Sequence, residues 1–277
     1  MAALGIPTTR ALAVVTTGER IIREQTLPGA ILARVATSHI RVGTFQFHFA
    51  RGDVEAVRLL TDHVIERHYP EVATAANPVL ALLESVVARQ AALVARWMQV
   101  GFIHGVMNTD NMSIAGETID YGPCAFMDGY HPGRVFSSID RQGRYAWDNQ
   151  PQIAHWNLSR FAQTLVALIP GDQEKANRDA QMVLNTFPEA FSRAFSSGFT
   201  RKIGILTSRP EDSDLVNALL GVMAESEVDF TLLFRRLTDS VETGDDAAVR
   251  ALFNNPEGFD RWAERWRRRT VGEDAKA

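Results

Sequence analysis

The sequence predicts an α+β protein in which a small antiparallel sheet precedes a mainly α-helical body. Three apolar, β-rich runs separated by turn residues lie within the first 35 residues. From residue 53 onward, apolar residues instead recur with helical spacing through most of the chain. One short stretch between the predicted helices, Gly101–Asp128, concentrates polar side chains and is the candidate functional segment.

The predicted sheet consists of three short strands. Arg10–Thr16 forms the first strand, and a glycine-containing turn leads to its hairpin partner, Arg20–Gln25. A Pro-Gly turn then precedes the third strand, Ala30–Val35. Thr37–Phe49 is expected to be a connector between the sheet and the helical body.

Two helices are marked by capping residues. Asp53 is suited to cap a helix that runs to about His68. Asn77 and Pro78 start a second helix, which is expected to run to Val100 and to end before a glycine. An ordered loop is predicted over Tyr121–Asn149, and further helices are predicted at about Asn149–Leu168, Gln173–Asn185, Pro188–Ser196, Ser213–Ala224, Asp229–Val241, Asp245–Phe253 and Pro256–Arg269.

The stretch Gly101–Asp128 contains side chains suited to a metal–phosphate site, namely His104, Asn108, Asp110, Asn111, Asp120 and Asp128. Two short strands, Met112–Ile114 and Glu117–Ile119, are predicted to pair in a tight hairpin. Such a hairpin would bring Asn111 and Asp120 to the same edge. Their amide and carboxylate oxygens are ligands that Mg²⁺ accepts together with phosphate oxygens.

The composition argues against several other classes of protein. With 45% hydrophobic and 22% charged residues, the chain can bury a sizeable core. Its net charge of -4 does not indicate a nucleic-acid partner. The single cysteine, Cys124, cannot form an internal disulfide and is typical of a reducing compartment. No signal peptide is recognisable and no stretch reaches membrane-spanning length, so we expect a cytoplasmic protein.

The order of the candidate residues is that of a protein-kinase catalytic centre. In kinases a long helix leads into a loop that begins with His, a metal-binding Asn follows, and a short hairpin leads to a metal-binding Asp-Phe-Gly or its relative. Here His104 opens the loop, Asn111 ends it, and Asp120 begins an Asp-Tyr-Gly sequence. The usual position of the catalytic base holds Val106, which cannot accept a proton. Asp110 is the nearest carboxylate to that position.

Longer motifs extend this pattern: LGIPTTRAL, GAILARVATSHIRVGTFQF, HGVMNTDNMSI, IDYGP and QGRYAWDNQP. Together they resemble the selenoprotein O (SelO, also YdiU) family of kinase-like proteins, over at least Leu4–Asn157. The resemblance implies a protein-kinase-like fold. Residues 1–50 would be part of the N-terminal lobe with a hinge-like connector, and residues 51–277 a helical C-terminal lobe that carries the catalytic and metal loops.

The resemblance also implies an activity and the residues responsible for it. Members of the family transfer AMP from ATP to Ser, Thr or Tyr hydroxyls of proteins, with Mg²⁺ or Mn²⁺. By position, Asp110 is the implied proton acceptor, and Asn111 and Asp120 are the implied metal ligands, Asp120 also contacting the nucleotide. Arg34 and Arg41 are the implied nucleotide-binding arginines, since guanidinium groups bind phosphate oxygens in bidentate fashion.

The sequence departs from the family pattern in ways that keep other functions open. The family's glycine-rich loop and phosphate-binding lysine are not found, and the only lysines, Lys175, Lys202 and Lys276, all follow the candidate site. We therefore expect a central fragment that also lacks the family's C-terminal tail. The alternatives to AMP transfer are a catalytically inactive nucleotide-binding pseudokinase or scaffold, and an ordinary kinase. The alternative for Asn111 and Asp120 is a purely structural role in turns.

Overall fold

The computed structural model describes residues 1–273, and its N-terminal part is a two-stranded antiparallel hairpin. Its strands are Arg10–Ile22 (β1) and Thr26–Val35 (β2), with Arg10 opposite Val35 and Ile22 opposite Thr26. The prediction of three strands is therefore wrong. The segment assigned to the second strand continues β1, and the chain reverses only at residues 23–25.

Gly18 explains why the expected turn at Thr17–Glu19 does not reverse the chain. Its φ is 78°, a left-handed conformation that glycine adopts without steric cost. The strand register shifts between Thr16 and Arg20, so the extra residues form an irregularity within β1. A bulge of this kind bends and twists a strand but lets pairing continue beyond it.

The hairpin is exposed on both faces. Every residue of β1 is exposed, including the apolar Leu12, Val14 and Ile22. The hairpin is fixed at its base, where the backbone N–H and hydroxyl of Thr37 donate to the carboxylate of Glu117 over 2.9 and 2.7 Å. Its packing therefore differs sharply from that of the helical body.

The helices are Val42–Phe49 (α1), Val54–His68 (α2), Pro78–Gln99 (α3), Gln150–Leu165 (α4), Gln173–Leu184 (α5), Phe187–Lys202 (α6), Asp212–Glu225 (α7), Phe230–Thr243 (α8), Ala247–Arg250 (α9) and Glu257–Thr270 (α10). Both predicted N-caps are confirmed. The carboxylate of Asp53 accepts from the N–H of Ala56 at 2.9 Å, and the side chain of Asn77 accepts from the N–H of Leu80 at 3.2 Å.

The segment 37–49, predicted only as a connector, contains a helix that was not predicted, α1, in its second half. This short helix is held by packing, since Phe45 is fully buried against Phe161 of α4 with ring centroids 4.9 Å apart. Two other helices differ in length from the prediction. The α6 helix extends beyond 188–196 at both ends, and α9 is shorter than 245–253.

The α3 helix lies at the centre of the helical body and contacts α4, α5 and α6. Among the described residues, it is the one helix long and apolar enough to cross a membrane by length and composition. The expectation that no stretch reaches that length is therefore wrong. Half of its most apolar window is buried inside the protein, which is typical of a core helix. Its end leads into Phe102–Ile103 (β3), which pairs with Ala125–Phe126 (β4).

The hairpin predicted between Met112–Ile114 and Glu117–Ile119 does not form. A turn is present, because the N–H of Gly116 donates to the carbonyl of Ser113 at 3.2 Å. Each side of the turn pairs elsewhere, however: Ser113 forms a bridge with Arg41, and Thr118 forms one with Thr8. The polar stretch is thus joined on one side to the start of α1 and on the other to the base of the N-terminal hairpin.

Candidate active site

Two buried side-chain amides of α4 hold the backbone in the first half of the polar stretch. The side chain of Gln150 accepts from the N–H of His104 and donates to the carbonyl of Phe102, both over 3.0 Å. The side chain of Asn157 donates to the carbonyl of Met107 over 2.8 Å. Buried backbone groups are costly to leave unpaired, so these bonds fix the path of the loop.

The second half is held by side chains from α3 and the segment before it. The Gln90 amide donates to the carbonyl of Ser113 over 2.6 Å, and the Tyr69 hydroxyl to the carbonyl of Ile114 over 2.6 Å. The Trp97 ring N–H donates to the hydroxyl of Thr118 over 2.8 Å. The residues that carry the candidate chemistry therefore lie on a backbone clamped from two helices.

Asn111 is oriented so that its side-chain oxygen is available to a ligand. It ends a 3₁₀ turn, Thr109–Asn111, and its Nδ2 donates to the carbonyl of Val106 over 2.9 Å. Because the nitrogen is committed to that carbonyl, the amide cannot turn over without losing the bond. The acceptor end of the side chain thus has a fixed direction.

Asp110 is exposed and packs against the first turn of α1. A Cβ atom built on Gly43 would lie 2.0 Å from the Oδ1 atom of Asp110, so only glycine admits the carboxylate this closely. A helix N-terminus carries a partial positive charge that favours a nearby anion. The side chains of Asp110 and Asp120 take part in no hydrogen bond or ion pair within residues 1–273. Their carboxylates are therefore free to bind a ligand.

Asp120 has a left-handed backbone conformation with φ of 62°, which non-glycine residues seldom adopt. The carbonyl of the preceding Ile119 accepts from Nε2–H of His104 at 2.7 Å. His104 is fully buried, and burial lowers its pKa, although the Ile119 carbonyl and the charge of Asp120 act in the opposite direction. The geometry supports a structural role for His104: a neutral imidazole that holds the backbone before Asp120.

The structure places the two predicted arginines differently. Arg41 precedes α1 and is joined to the loop after Asn111, since the N–H of Val42 donates to the carbonyl of Met112 over 3.0 Å. Its Nε is buried without a hydrogen-bond partner in the described part of the chain. Arg34 lies on β2 opposite Ala11, is exposed, and makes no ion pair within residues 1–273.

The donor set suits a hard divalent cation with few protein ligands. Across residues 1–273, no group of three or more His, Cys, Asp or Glu side chains has metal-binding geometry. One amide oxygen at Asn111 and one carboxylate at Asp120 are, however, the number and kind of ligands that Mg²⁺ takes from a protein when phosphate oxygens complete its shell. The oriented amide of Asn111 and the carboxylate of Asp120, unpaired within residues 1–273, each offer an oxygen of this kind.

Sequence reasoning did not identify Gln90, Gln150 or Asn157 as parts of the site. Each lies on a predicted helix, and each is almost fully buried. The available signal was the presence of amide residues among the apolar positions of α3 and α4. Buried amides usually have backbone partners, but the sequence does not say which carbonyls they bind.

The family model for "Protein adenylyltransferase SelO" matches residues 1–275. Relatives named "Protein nucleotidyltransferase YdiU" are 60% identical over 274 residues in Rhodopseudomonas palustris (strain BisB5), over 279 in Bradyrhizobium diazoefficiens and over 284 in Methylorubrum extorquens (strain PA1). These matches cover 99–100% of this chain but only 56–57% of each relative. The chain thus spans little more than half the length of these curated relatives.

Proposed function

This chain belongs to the protein adenylyltransferase SelO family, and on that premise we propose that its site transfers AMP from ATP to Ser, Thr or Tyr hydroxyls of proteins. One observation carries the proposal: the Asp110 carboxylate lies over Gly43 at the start of α1, beside an Asn111 whose amide oxygen has a fixed direction. A hydroxyl that attacks a metal-bound nucleotide requires a proton acceptor and a metal ligand close to each other.

The proposed AMP transfer gives each of the candidate residues a role. Asp110 accepts the proton as the substrate oxygen attacks the α-phosphorus of ATP. The new O–P bond forms, the bond from the α-phosphorus to the bridging oxygen breaks, and pyrophosphate leaves. Arg34 and Arg41 bind phosphate oxygens and offset the charge of the transition state. Mg²⁺ or Mn²⁺ held by Asn111 and Asp120 would supply further positive charge at the phosphates when bound.

We also propose a protein-kinase-like fold, with residues 1–50 in the N-terminal lobe and residues 51–277 in the C-terminal lobe. The order of the elements supports it: a β-hairpin, then a long central helix, then the loop with Asp110, Asn111 and Asp120. We propose ATP and hydroxyl-bearing proteins as the partners. The single cysteine supports a reducing compartment, and we propose the cytoplasm.

Labelled ATP separates this function from its rivals. Incorporation of label from α-labelled ATP into protein supports AMP transfer, and incorporation from γ-labelled ATP supports an ordinary kinase. Metal-dependent ATP binding without either incorporation leaves the pseudokinase alternative. The measurement is made on this chain and on a full-length relative in parallel, because the chain matches only part of those proteins.

The metal assignment is tested by substitutions at Asp120. Asp120→Ala is expected to abolish metal-dependent nucleotide binding, measured by calorimetry with and without Mg²⁺. Asp120→Asn is the sharper variant, because Asn tolerates the left-handed backbone while removing the charge. Asp214→Ala, an exposed site on α7, is the control and should bind normally. Unchanged metal-dependent binding in both Asp120 variants would refute the assignment.

A further inference from the structure

Phe47 presents an exposed aromatic ring beside the proposed base. It lies four residues after Gly43 in α1, so the two residues project from the same face, about 6 Å apart along the helix axis. The Asp110 carboxylate packs on that face, at Gly43. Helical side chains lean toward the N-terminus of their helix, which directs the Phe47 ring toward Asp110. Phe47 is 53% exposed, so the ring is accessible from solvent next to the candidate site.

Arg51 is held over the Phe47 ring in a defined orientation. Its Cζ lies 3.5 Å from the ring centroid, and its Nη1 donates to the carbonyl of Phe47 over 2.8 Å. Stacking on the ring together with this hydrogen bond fixes the plane of the guanidinium group. Its Nε and Nη2 have no hydrogen-bond partner within residues 1–273. These two nitrogens form the edge of a guanidinium group that binds a carboxylate in bidentate fashion.

The acidic side chains that follow Arg51 in the chain do not neutralise it. The carboxylate of Asp53 accepts from the N–H of Ala56, and that of Glu55 is paired with Arg58. In the part of the chain that the structure describes, Arg51 has no carboxylate at ion-pair distance. An exposed and oriented cation of this kind is complementary to an acidic group on a partner.

The position of Asp110 places the acceptor hydroxyl of a protein substrate close to α1. A hydroxyl that gives its proton to Asp110 has to approach the carboxylate to about 3 Å. Because that carboxylate packs on Gly43, the acceptor residue lies within a few ångströms of the first turn of the helix. An extended chain advances about 3.3 Å per residue, so two or three substrate residues span the distance to Phe47 and Arg51.

We propose that Arg51, held on Phe47, binds an acidic side chain two or three residues from the acceptor hydroxyl. The substrates are then Ser, Thr or Tyr residues in acidic segments of proteins. The proposal rests on the proposed AMP transfer, since it takes Asp110 as the base. The carboxylate of the substrate accepts from Nε and Nη2 of Arg51, and the apolar part of its side chain packs against the exposed ring of Phe47.

Peptide binding tests the proposal without depending on AMP transfer. Two fluorescent peptides each contain one Ser; one has Glu three residues before and after it, and the other has Gln at both places. Their dissociation constants are measured by anisotropy. We expect the Glu peptide to bind about 5-fold more tightly, which corresponds to about 1 kcal/mol, the upper range for an exposed ion pair.

Arg51→Glu should remove this preference and should favour a third peptide that has Lys at the same places. Arg261→Glu, at an exposed position of α10 without an ion pair in the described residues, changes the net charge equally and should keep the preference for Glu.

Further variants separate the parts of the proposal. Phe47→Leu should reduce the preference for Glu, because Arg51 loses the ring that orients it. Phe49→Leu, at another exposed aromatic position of α1, should not. Arg51→Gln should leave the affinity for ATP and Mg²⁺ unchanged, because Arg51 is assigned to the protein substrate.

Equal binding of the Glu and Gln peptides, a preference that survives Arg51→Glu, or weaker ATP binding in Arg51→Gln would overturn the proposal. The same samples are then given α-labelled ATP. A preference for Glu that depends on Arg51, without label in either peptide, would support the binding role of Arg51 and count against AMP transfer.

Discussion

The contact between Gly43 and Asp110 gives the sharpest test of the proposed catalytic base. Replacing Gly43 with alanine would place its Cβ 2.0 Å from Oδ1, 3.0 Å from Cγ and 3.4 Å from Cα of Asp110. Nonbonded atoms settle at about 3.5 Å or more, so the carboxylate oxygen has to move by roughly 1.5 Å. The substitution displaces the proposed base, Asp110, without replacing Asp110 or the proposed metal ligands.

The variant is expected to separate stability from activity. Alanine is favoured over glycine inside a helix by about 0.5–1 kcal/mol. Because Asp110 is exposed, its side chain can rotate into solvent and relieve much of the clash. We therefore expect the free energy of unfolding of Gly43→Ala to change by less than about 1 kcal/mol. A misplacement of about 1 Å at a reacting group costs on the order of 100-fold in rate.

The assay is the initial rate of label transfer from α-labelled ATP, measured beside urea unfolding. Gly43→Ala is compared with Asp110→Asn and with the double variant. If Gly43→Ala acts through Asp110, the double variant should be little slower than Asp110→Asn alone, because residues in contact are not additive. Gly221→Ala on α7, where an added Cβ meets nothing within 4 Å, is the control. A folded Gly43→Ala protein within three-fold of the unmodified rate would refute this reasoning.

Two further predictions concern stability. Because burial lowers the pKa of His104, its contribution to stability is complete above the unfolded pKa of about 6.5 and is lost as the pH falls below that value, by up to about 1.4 kcal/mol per pH unit. His104→Gln should reduce the pH dependence of the free energy of unfolding, measured with urea between pH 7 and 5. An unchanged pH dependence would contradict this. His68, whose pKa burial also lowers, accounts for the pH dependence that remains. Arg269→Met should lower the free energy of unfolding by about 2–3 kcal/mol, because it leaves the buried carboxylate of Asp212 without its partner. This loss lies between those expected for breaking a surface ion pair and a fully buried one. Arg268→Met, at an exposed neighbouring position, should change stability by less than about 0.5 kcal/mol, and equal losses would exclude a special role for the buried pair.

The helices that the sequence predicted best are those with a local start signal. Asp53 and Asn77 cap α2 and α3 through bonds to backbone N–H groups three residues later, so the information lies within one turn. By contrast, α1 has eight residues, and short helices are marginal in isolation. It is held by Phe45 against Phe161, more than one hundred residues away, and the local sequence does not show that contact.

The candidate site likewise contains residues that the local sequence indicates and residues whose role depends on distant contacts. Asn111 and Asp120 could be proposed as site residues because they are polar, lie in an apolar stretch and follow the order of a kinase catalytic centre. Gln90 and Gln150 could not, because the carbonyl of Ser113 and the loop at His104 that they hold lie 23 and 46 residues from them. The pairing partners of Ser113 were also missed, since they come from the segment before α1 rather than from across the turn.

The two proposed nucleotide-binding arginines therefore differ in how firmly their backbone is held. Arg41 lies on firmly held backbone, because it pairs with Ser113 and the N–H of the next residue bonds to the carbonyl of Met112. Arg34 lies on a hairpin whose two faces are exposed and which is held at its base, by Thr37 bonded to Glu117 and by the bridge between Thr8 and Thr118. If a nucleotide binds between Arg34 and Arg41, as proposed, fixing the exposed side chain of Arg34 against it costs conformational entropy. On that proposal, the affinity for nucleotide depends on how Arg34 is held as well as on the loop that carries the proposed base and metal ligands.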